Sequence, residues 1–479
     1  MNLRPVLYFN GILLCLLAAS MTIPLLVSVQ FRSGNADAFL SCMLATVFFG
    51  GLLLLANKDG ANRLTHKQGF ALIGSAWAVL PVFAALPFMF SNLSLSFTDA
   101  LFESVAGLTT SGSTMLTDLD SAPRGILLWR ALLQWIGGIG IVLMTLPVLP
   151  FLRIGGMQMF DSEAAENEKT LPHAAQLVFS VVTVYALLTL INAIAYHLAG
   201  MTVFDAVAHA MSTISSGGFS TRDAGLDSWG KDVKGIAMLF MVAAALPFIL
   251  YVKAMHGERA PLLRDSQVRF FLSIIIYISA ILALYFIFRQ GWPPGKASFE
   301  ALFNVISAIT GTGYNTIVSS HMEEFAVSML LFLVFAGGCA GSATSGIKMF
   351  RFQALYTIAD AQIRKLLYPN GVFIPRYNHK PLPEGVAISV MAFFFLYALS
   401  FAMVTLALSF TGLEFMESLS NAATSLANAG PVWGSGPSHE VVMQTLPGGA
   451  KWVMMAAMIL GRVEMFPILI LLFPYFWRR

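Results

Sequence analysis

Apolar runs separated by short polar breaks fill the chain, and they come in two lengths. The longer ones, at 6–29, 40–56, 70–90, 126–151, 177–198, 236–252, 270–288, 385–410 and 452–476, approach the ~20 helical residues that cross ~30 Å of hydrocarbon. A tenth, 325–348, contains AGGCAGSATSG, whose four glycines and three hydroxyl residues predict an interrupted helix. The shorter runs are FTDALFESVAGLTTSGST from Phe97, VFDAVAHAMSTISSGGFST from Val203, FEALFNVISAITGTGYNT from Phe299 and LEFMESLSNAATSLANAGP from Leu413. Each has an acidic residue, an apolar stretch of helical character, a small-residue turn and a glycine. Asp99 to Gly112, Asp205 to Gly218, Glu300 to Gly313 and Glu417 to Gly430 are each thirteen positions apart.

A run of this length cannot cross the hydrocarbon, so each short unit predicts a re-entrant half-helix. Its turn needs protein or water around it, because unpaired backbone is not tolerated in lipid. The predicted fold is an all-α polytopic membrane protein: a leading two-helix segment (1–67) and four repeats of helix, half-helix, turn and helix in a pseudo-four-fold arrangement. The repeats are 68–169, 170–265, 266–380 with the interrupted inner helix, and 381–479.

Composition supports this class. Hydrophobic residues make up 57%, charged residues only 11%, and mean hydropathy is +0.74, whereas soluble domains carry about 25% charge. The net charge of +3 says little about substrate, but its distribution sets orientation. Lys58, Arg63 and Lys67, then Lys253, Arg259, Arg264 and Arg269, then Lys348, Arg351, Arg364, Lys365, Arg376 and Lys380, and finally Arg478 and Arg479, mark one face as cytoplasmic. Both termini fall on that face, as does the mixed-charge loop 153–173. Arg222, Lys231 and Lys234 fall outside, against the bias. Cys15, Cys42 and Cys339 lack ligand-like spacing, and the first run lacks a cleavage site, predicting a retained helix.

The turns align as Thr109-Thr110-Ser111-Gly112, Ser215-Ser216-Gly217-Gly218, Thr310-Gly311-Thr312-Gly313 and Ala427-Asn428-Ala429-Gly430. None holds an ionisable side chain. Rings of backbone carbonyls can hold a monovalent cation, whereas a divalent ion more often needs anionic ligands. The bland alternative is close helix packing by small residues, which the fixed register of four copies disfavours. The four acidic residues either stabilise half-helix N-termini or draw cations to an outer mouth. His209 reads as a packed polar contact without a second metal ligand. Arg462 stands near the middle of the last apolar run, where a charge must face protein or water; it either obstructs an ion path or pairs with Glu464. The segment carrying Gly337, Gly338, Gly341, Ser342, Thr344, Ser345, Gly346 and Lys348 is either a pliable plug below the turns or a packing kink.

These motifs, with WRALLQWIGGIGIV, FAGGCAGSATSGIK, LANAGP and GRVEMFPILIL, resemble the Trk/Ktr/HKT superfamily of potassium transporters, and within it the bacterial Trk uptake group, over essentially the whole chain. The resemblance implies potassium uptake across the bacterial inner membrane, with potassium as substrate and no cofactor in this chain. It implies filter positions at Thr110, Ser111, Gly112, Ser216, Gly217, Gly218, Gly311, Thr312, Gly313, Asn428, Ala429 and Gly430. It also implies a gating loop at 337–348 with Arg462 restricting the pore, a homodimer in the lipid bilayer, and a cytoplasmic nucleotide-binding regulatory subunit. Nucleic acid has no place in this picture.

Four positions depart from the group's pattern. Ser111 replaces a threonine, Gly311 stands where threonine is commoner, and Ala343 and Ser345 make the loop less glycine-rich. A sodium-dependent Ktr-type transporter is the main alternative, against which the leading helix pair speaks, and a small-solute secondary transporter is a remoter one. No nucleophile, base and orienting group recur with usable spacing, so an enzyme is not expected.

Overall fold

The computed structural model describes residues 1–58, 64–152, 171–258, 260–314, 323–378, 380–430 and 443–477. Arg63, Arg259, Arg478, Arg479 and most of the predicted cytoplasmic loop 153–173 lie outside the described residues. Helices α1 (Arg4–Ser20) and α2 (Thr22–Gln30) form one span, followed by α3 (Ala36–Ala56). Gly11 and Gly50 let α1 and α3 approach closely: a Cβ on Gly11 would stand 2.8 Å from the Gly50 carbonyl oxygen. Asn10 Nδ2 donates to Ser75 Oγ at 2.7 Å, fixing this pair to α4 (His66–Phe90).

The first repeat continues with the short α5 (Phe97–Leu108) and the 29-residue α6 (Arg124–Leu152). The second comprises α7 (Leu171–Leu198), the short α8 (Val203–Ile214), α9 (Lys231–Ala245) and α10 (Phe248–Met255). In the third are α11 (Ser266–Phe288), α12 (Pro294–Thr310), α13 (Glu324–Ala336) and α14 (Met349–Leu367). The fourth holds α15 (Glu384–Phe410), α16 (Phe415–Ala427), α17 (Gly448–Arg462) and α18 (Phe466–Leu472). A two-residue antiparallel ribbon, Arg376–Tyr377 with Lys380–Pro381, is the sole strand pairing among the described residues.

Among the described residues six continuous helices are long and apolar enough to cross a membrane, and two sharply bent pairs raise the number to eight. Those bends correct the expectation of unbroken spans at 236–252 and 452–476. Helices α9 and α10 meet at 91° across Leu246 and Pro247. Proline lacks the N–H that an unbroken helix would use. The carbonyls freed at the end of α9 are taken by the interrupted segment of repeat 3: Cys339 N donates to Ala245 O at 2.9 Å and Ala343 N to Ala244 O at 3.3 Å. In return Phe248 N donates to Gly341 O at 2.9 Å.

Helices α17 and α18 meet at 117°, where Glu464 and Met465 adopt positive φ of 57° and 62° and Pro467 opens the next helix. The interruption expected in repeat 3 is present, with helix ending at Ala336 and resuming at Met349. The inner helices of repeats 2, 3 and 4 are therefore all broken. Two large buried apolar clusters result. One lies between repeats 2 and 3, centred on Phe271, Phe286 and Phe303; the other joins repeats 1 and 4 to the leading helices around Phe102, Trp129 and Met454.

Candidate functional site

The short helices of the first two repeats start where the sequence supplies a side-chain cap. Ser96 Oγ accepts the Asp99 N–H at 3.2 Å and donates to Asp99 Oδ2 at 2.7 Å; Thr202 and Asp205 repeat this at 3.2 and 2.8 Å. Asp99 also pairs with Lys451 at 2.6 Å, and Asp205 Oδ1 accepts from Thr221 Oγ1 at 2.6 Å. Glu417 occupies the first turn of α16. Glu300 does not begin its helix, because α12 starts six residues earlier at Pro294. All four helices run towards their turns, so their carbonyl ends, the negative ends of their dipoles, converge there.

The turns share a backbone pattern that the side chains conceal. Two residues before each repeat glycine the chain is left-handed: Thr110 (φ 56°), Ser216 (55°), Gly311 (72°) and Asn428 (48°). Gly112, Gly218 and Gly313 are left-handed again at 77°, 75° and 78°. Gly218 rather than Gly217 thus carries the conformation matching Gly112. The pattern gives Gly311 a physical reason, since this register demands a backbone that threonine and serine adopt only under strain and glycine adopts freely.

The four turns close on one another in sequence order. A Cβ added at Gly112 would overlap the Gly217 carbonyl oxygen and lie 3.4 Å from Gly430 Cα. At Gly218 it would overlap the carbonyl oxygen of Thr312, and at Gly313 it would lie 2.6 Å from Gly430 N. Turn 1 therefore touches turns 2 and 4, turn 2 touches turn 3, and turn 3 touches turn 4. A ring of backbone forms in which Gly112, Gly218, Gly313 and Gly430 have no room for a methyl group.

Side chains from the surrounding helices brace the ring. Gln134 of α6 donates to Gly217 O at 2.7 Å and accepts from Ser212 Oγ at 2.5 Å and Phe219 N at 3.2 Å. Asn428 Nδ2 donates to Met458 O at 2.9 Å, and Thr310 and Thr312 hydroxyls lie 2.8 Å apart. Glu103 and Arg130 form a fully buried ion pair at 2.6 Å behind the first turn. Sequence reasoning did not single out Glu103, Arg130 or Gln134; the available signal was their polarity inside apolar helices. Thr110 Oγ1 and Ser216 Oγ, at equivalent positions, are buried without a protein partner.

Arg462 ends α17 at its break, almost wholly buried. It donates to Gly137 O at 3.0 Å, to Ser345 Oγ, and to Ala343 O at 3.4 Å. Gly461 and Gly137 lie against the last carbonyls of two short helices: a Cβ on either would overlap Leu426 O or Leu108 O. Arg462 thus stands beside the carbonyl ends of α16 and α5 and holds the interrupted segment there. The alternative pairing of Arg462 with Glu464 is overturned, because Glu464 bonds Arg351 at 2.6 Å. With both Glu464 and Met465 at positive φ, the chain no longer keeps the two residues on one straight helix.

Within the interrupted segment, Gly337, Gly341 and Gly346 take positive φ (67°, 77° and 85°) and Gly338 N donates to Thr344 Oγ1 at 3.2 Å. Ser342 and Thr344 hydroxyls lie 2.7 Å apart, and Lys348 Nζ donates to Thr344 O. Gln267 Oε1 accepts from Ala340 N (2.8 Å) and Phe350 N (3.1 Å), fixing both ends to α11.

His209 is a packed polar contact, 2.8 Å from Asp205 O through Nδ1 and 3.0 Å from Ser220 Oγ through Nε2. Among the described residues no group of three or more His, Cys, Asp and Glu has the geometry to hold a metal. Of the three basic residues expected outside against the charge bias, two are paired locally, Arg222 with Asp120 at 2.9 Å and Lys234 with Asp227.

The family described as TrkH, cation transport protein, matches residues 35–477. The Trk system potassium uptake protein TrkI of Halomonas elongata is 37% identical over 480 residues, covering 99% of this chain and 97% of that protein. The Trk system potassium uptake protein TrkH of Salmonella typhimurium is 33% identical over 485 residues, covering both chains fully. The crystal structure of the potassium transporter TrkH from Vibrio parahaemolyticus superposes with a TM-score of 0.93 at 33% identity over the whole of both chains.

Proposed function

Because the chain belongs to the TrkH family of cation transport proteins, we propose that it carries potassium across the bacterial inner membrane through a filter made of its four turns. Segments 68–169, 170–265, 266–380 and 381–479 each supply one quarter of the pore. The observation that carries this reading is the closure of Gly112, Gly218, Gly313 and Gly430 into one backbone ring at the carbonyl ends of four short helices. No ionisable side chain lies in the turns, so the ring offers carbonyl and hydroxyl oxygens, the ligands suited to a large monovalent cation. Ions are held by the turn positions 110–112, 216–218, 311–313 and 428–430, with the unpartnered hydroxyls of Thr110 and Ser216 adding side-chain oxygen.

The segment 337–348 is the gate, and Arg462 is its latch. Support comes from the bonds of Arg462 to Ser345 and Ala343 at the inner side of the ring. The gate answers to a cytoplasmic nucleotide-binding subunit, received by a homodimer. Exposed Leu366, Leu367 and Tyr368 beside Arg364 and Lys365 at the end of α14 suit such docking. Both termini lie on this cytoplasmic side. Uptake of labelled rubidium into potassium-loaded liposomes containing the purified protein tests the reading. Accumulation above protein-free liposomes is expected; none, with monodisperse folded protein, would overturn it.

A further inference from the structure

Behind the turns the short helices share a second register. Four residues after Asp99, Asp205, Glu300 and Glu417 stand Glu103, His209, Asn304 and Asn421, one polar side chain per repeat, none more than 5% exposed. In the first two repeats this side chain holds the chain as it leaves the turn. Glu103 accepts from Thr114 Oγ1 at 3.0 and 3.1 Å and from Met115 N at 2.7 Å. His209 Nε2 lies 3.0 Å from Ser220 Oγ. Thr114 and Ser220 are equivalent, each two residues beyond its repeat glycine. The corresponding positions 315 and 432 lie outside the described residues.

One side chain joins these two arrangements. Arg130 Nε pairs with Glu103 at 2.6 Å, Nη2 donates to Thr114 Oγ1 at 2.9 Å, and Nη1 donates to Ser220 O at 3.1 Å. Its guanidinium also lies 4.1 Å from the centroid of the Phe219 ring. The guanidinium fork therefore grips the chain leaving turn 1 and the chain leaving turn 2 at once. Buried ion pairs contribute little net stability compared with well-packed apolar groups. What a planar, fixed-direction fork supplies is geometry.

We propose that Glu103, Arg130, Thr114, Ser220 and His209 form a positioning clamp that fixes turn 1 against turn 2 and so sets how strongly the pore prefers potassium to sodium. The proposal rests on reading the turns as a filter. Carbonyl filters discriminate by cage size or by the number and field of their oxygens, and a relative shift of two neighbouring turns alters both. These are positioning residues: they touch the chain that carries the filter rather than the ion.

The test compares Thr114→Val, which removes the hydroxyl with little change of shape, Thr114→Ser, which retains it, and Arg130→Lys, which keeps the charge but loses the fork. Potassium and sodium fluxes are measured separately in liposomes. The potassium-to-sodium ratio is expected to fall about fivefold in Thr114→Val and Arg130→Lys, the scale of one ordinary lost hydrogen bond, and to recover in Thr114→Ser. A merely structural role would reduce both fluxes in proportion, and an unchanged ratio in folded Thr114→Val and Arg130→Lys overturns the proposal. Where Arg130→Lys does not fold, Thr114→Val decides alone. Absence of discrimination in the wild-type protein would instead remove the filter reading, so the two failures are distinguishable.

Discussion

Arg462 donates to the carbonyl oxygen of Gly137 at 3.0 Å, joining the last turn of α17 to the middle of α6. The same guanidinium reaches Ser345 in the interrupted segment, so one buried cation ties together three elements from three repeats. On the proposed reading of segment 337–348 as a gate, a buried charge so placed would repel a permeating cation and hold the segment closed.

Replacing Arg462 by alanine removes both effects. Potassium flux through the isolated protein in liposomes is expected to rise about tenfold or more over wild type, the change from losing one charge-assisted hydrogen bond that holds the segment. Unchanged flux and unchanged gating would contradict the latch.

Gly137 and Gly461 have no room for a methyl group, since each faces a carbonyl in the last turn of a short helix, Leu108 O or Leu426 O. Gly137→Ala and Gly461→Ala should each destabilise the protein by about 1–3 kcal/mol through overpacking. Thermal unfolding of the purified variants in detergent reads this as a lowered midpoint. Gly140, with open space around its Cβ position, is the control and should tolerate alanine.

The two glycines of the third turn should respond differently. Gly311→Thr places threonine at a backbone conformation that Thr110 already adopts, with open contacts of 3.7 Å or more, at a cost of about 1–2 kcal/mol. Gly313→Ala forces a methyl group into the backbone of Gly430. Rubidium uptake should survive the first change at reduced rate and be abolished by the second; the reverse order would show that the ring has been misread.

In the exposed segment between α5 and α6 the hydrogen bond from Arg222 holds the Asp120 carboxyl below the ordinary carboxylate range, helped by a backbone hydrogen bond at Asp223. A lowered folded-state pKa adds stability that is complete above the ordinary value of about 3.9 and is lost as pH falls through the lowered one. The contribution is small because the pair is exposed to solvent. The unfolding midpoint of wild type should slightly exceed that of Asp120→Asn at pH 7, and the gap should close in acid below about pH 4. A gap that widens on acidification would contradict the sign.

The parts of the site that repeat were legible in the sequence. Gly112, Gly218, Gly313 and Gly430 announced themselves because one backbone requirement recurs at one spacing. The interruption after Ala336 was equally plain, since its glycines cannot sustain a helix against the alternatives. The bends at Pro247 and before Pro467 were hidden inside apolar runs, where hydropathy continues unchanged while the backbone turns. Their proline signals mark the helix starts, but nothing local shows that the loop at Cys339 and Ala343 will supply the missing hydrogen bonds. The Glu103–Arg130 pair spans 27 positions and exists only through tertiary packing of α5 on α6. Gly311 reads as an anomaly beside Thr110 and Ser216 until the shared left-handed backbone is seen.

The central claim is that four backbone turns form one potassium filter, and its most direct test is flux through the purified wild-type protein in liposomes under matched gradients of potassium and of sodium, at equal membrane voltage. Potassium flux well above sodium flux is predicted. Equal permeation of the two ions would contradict the account.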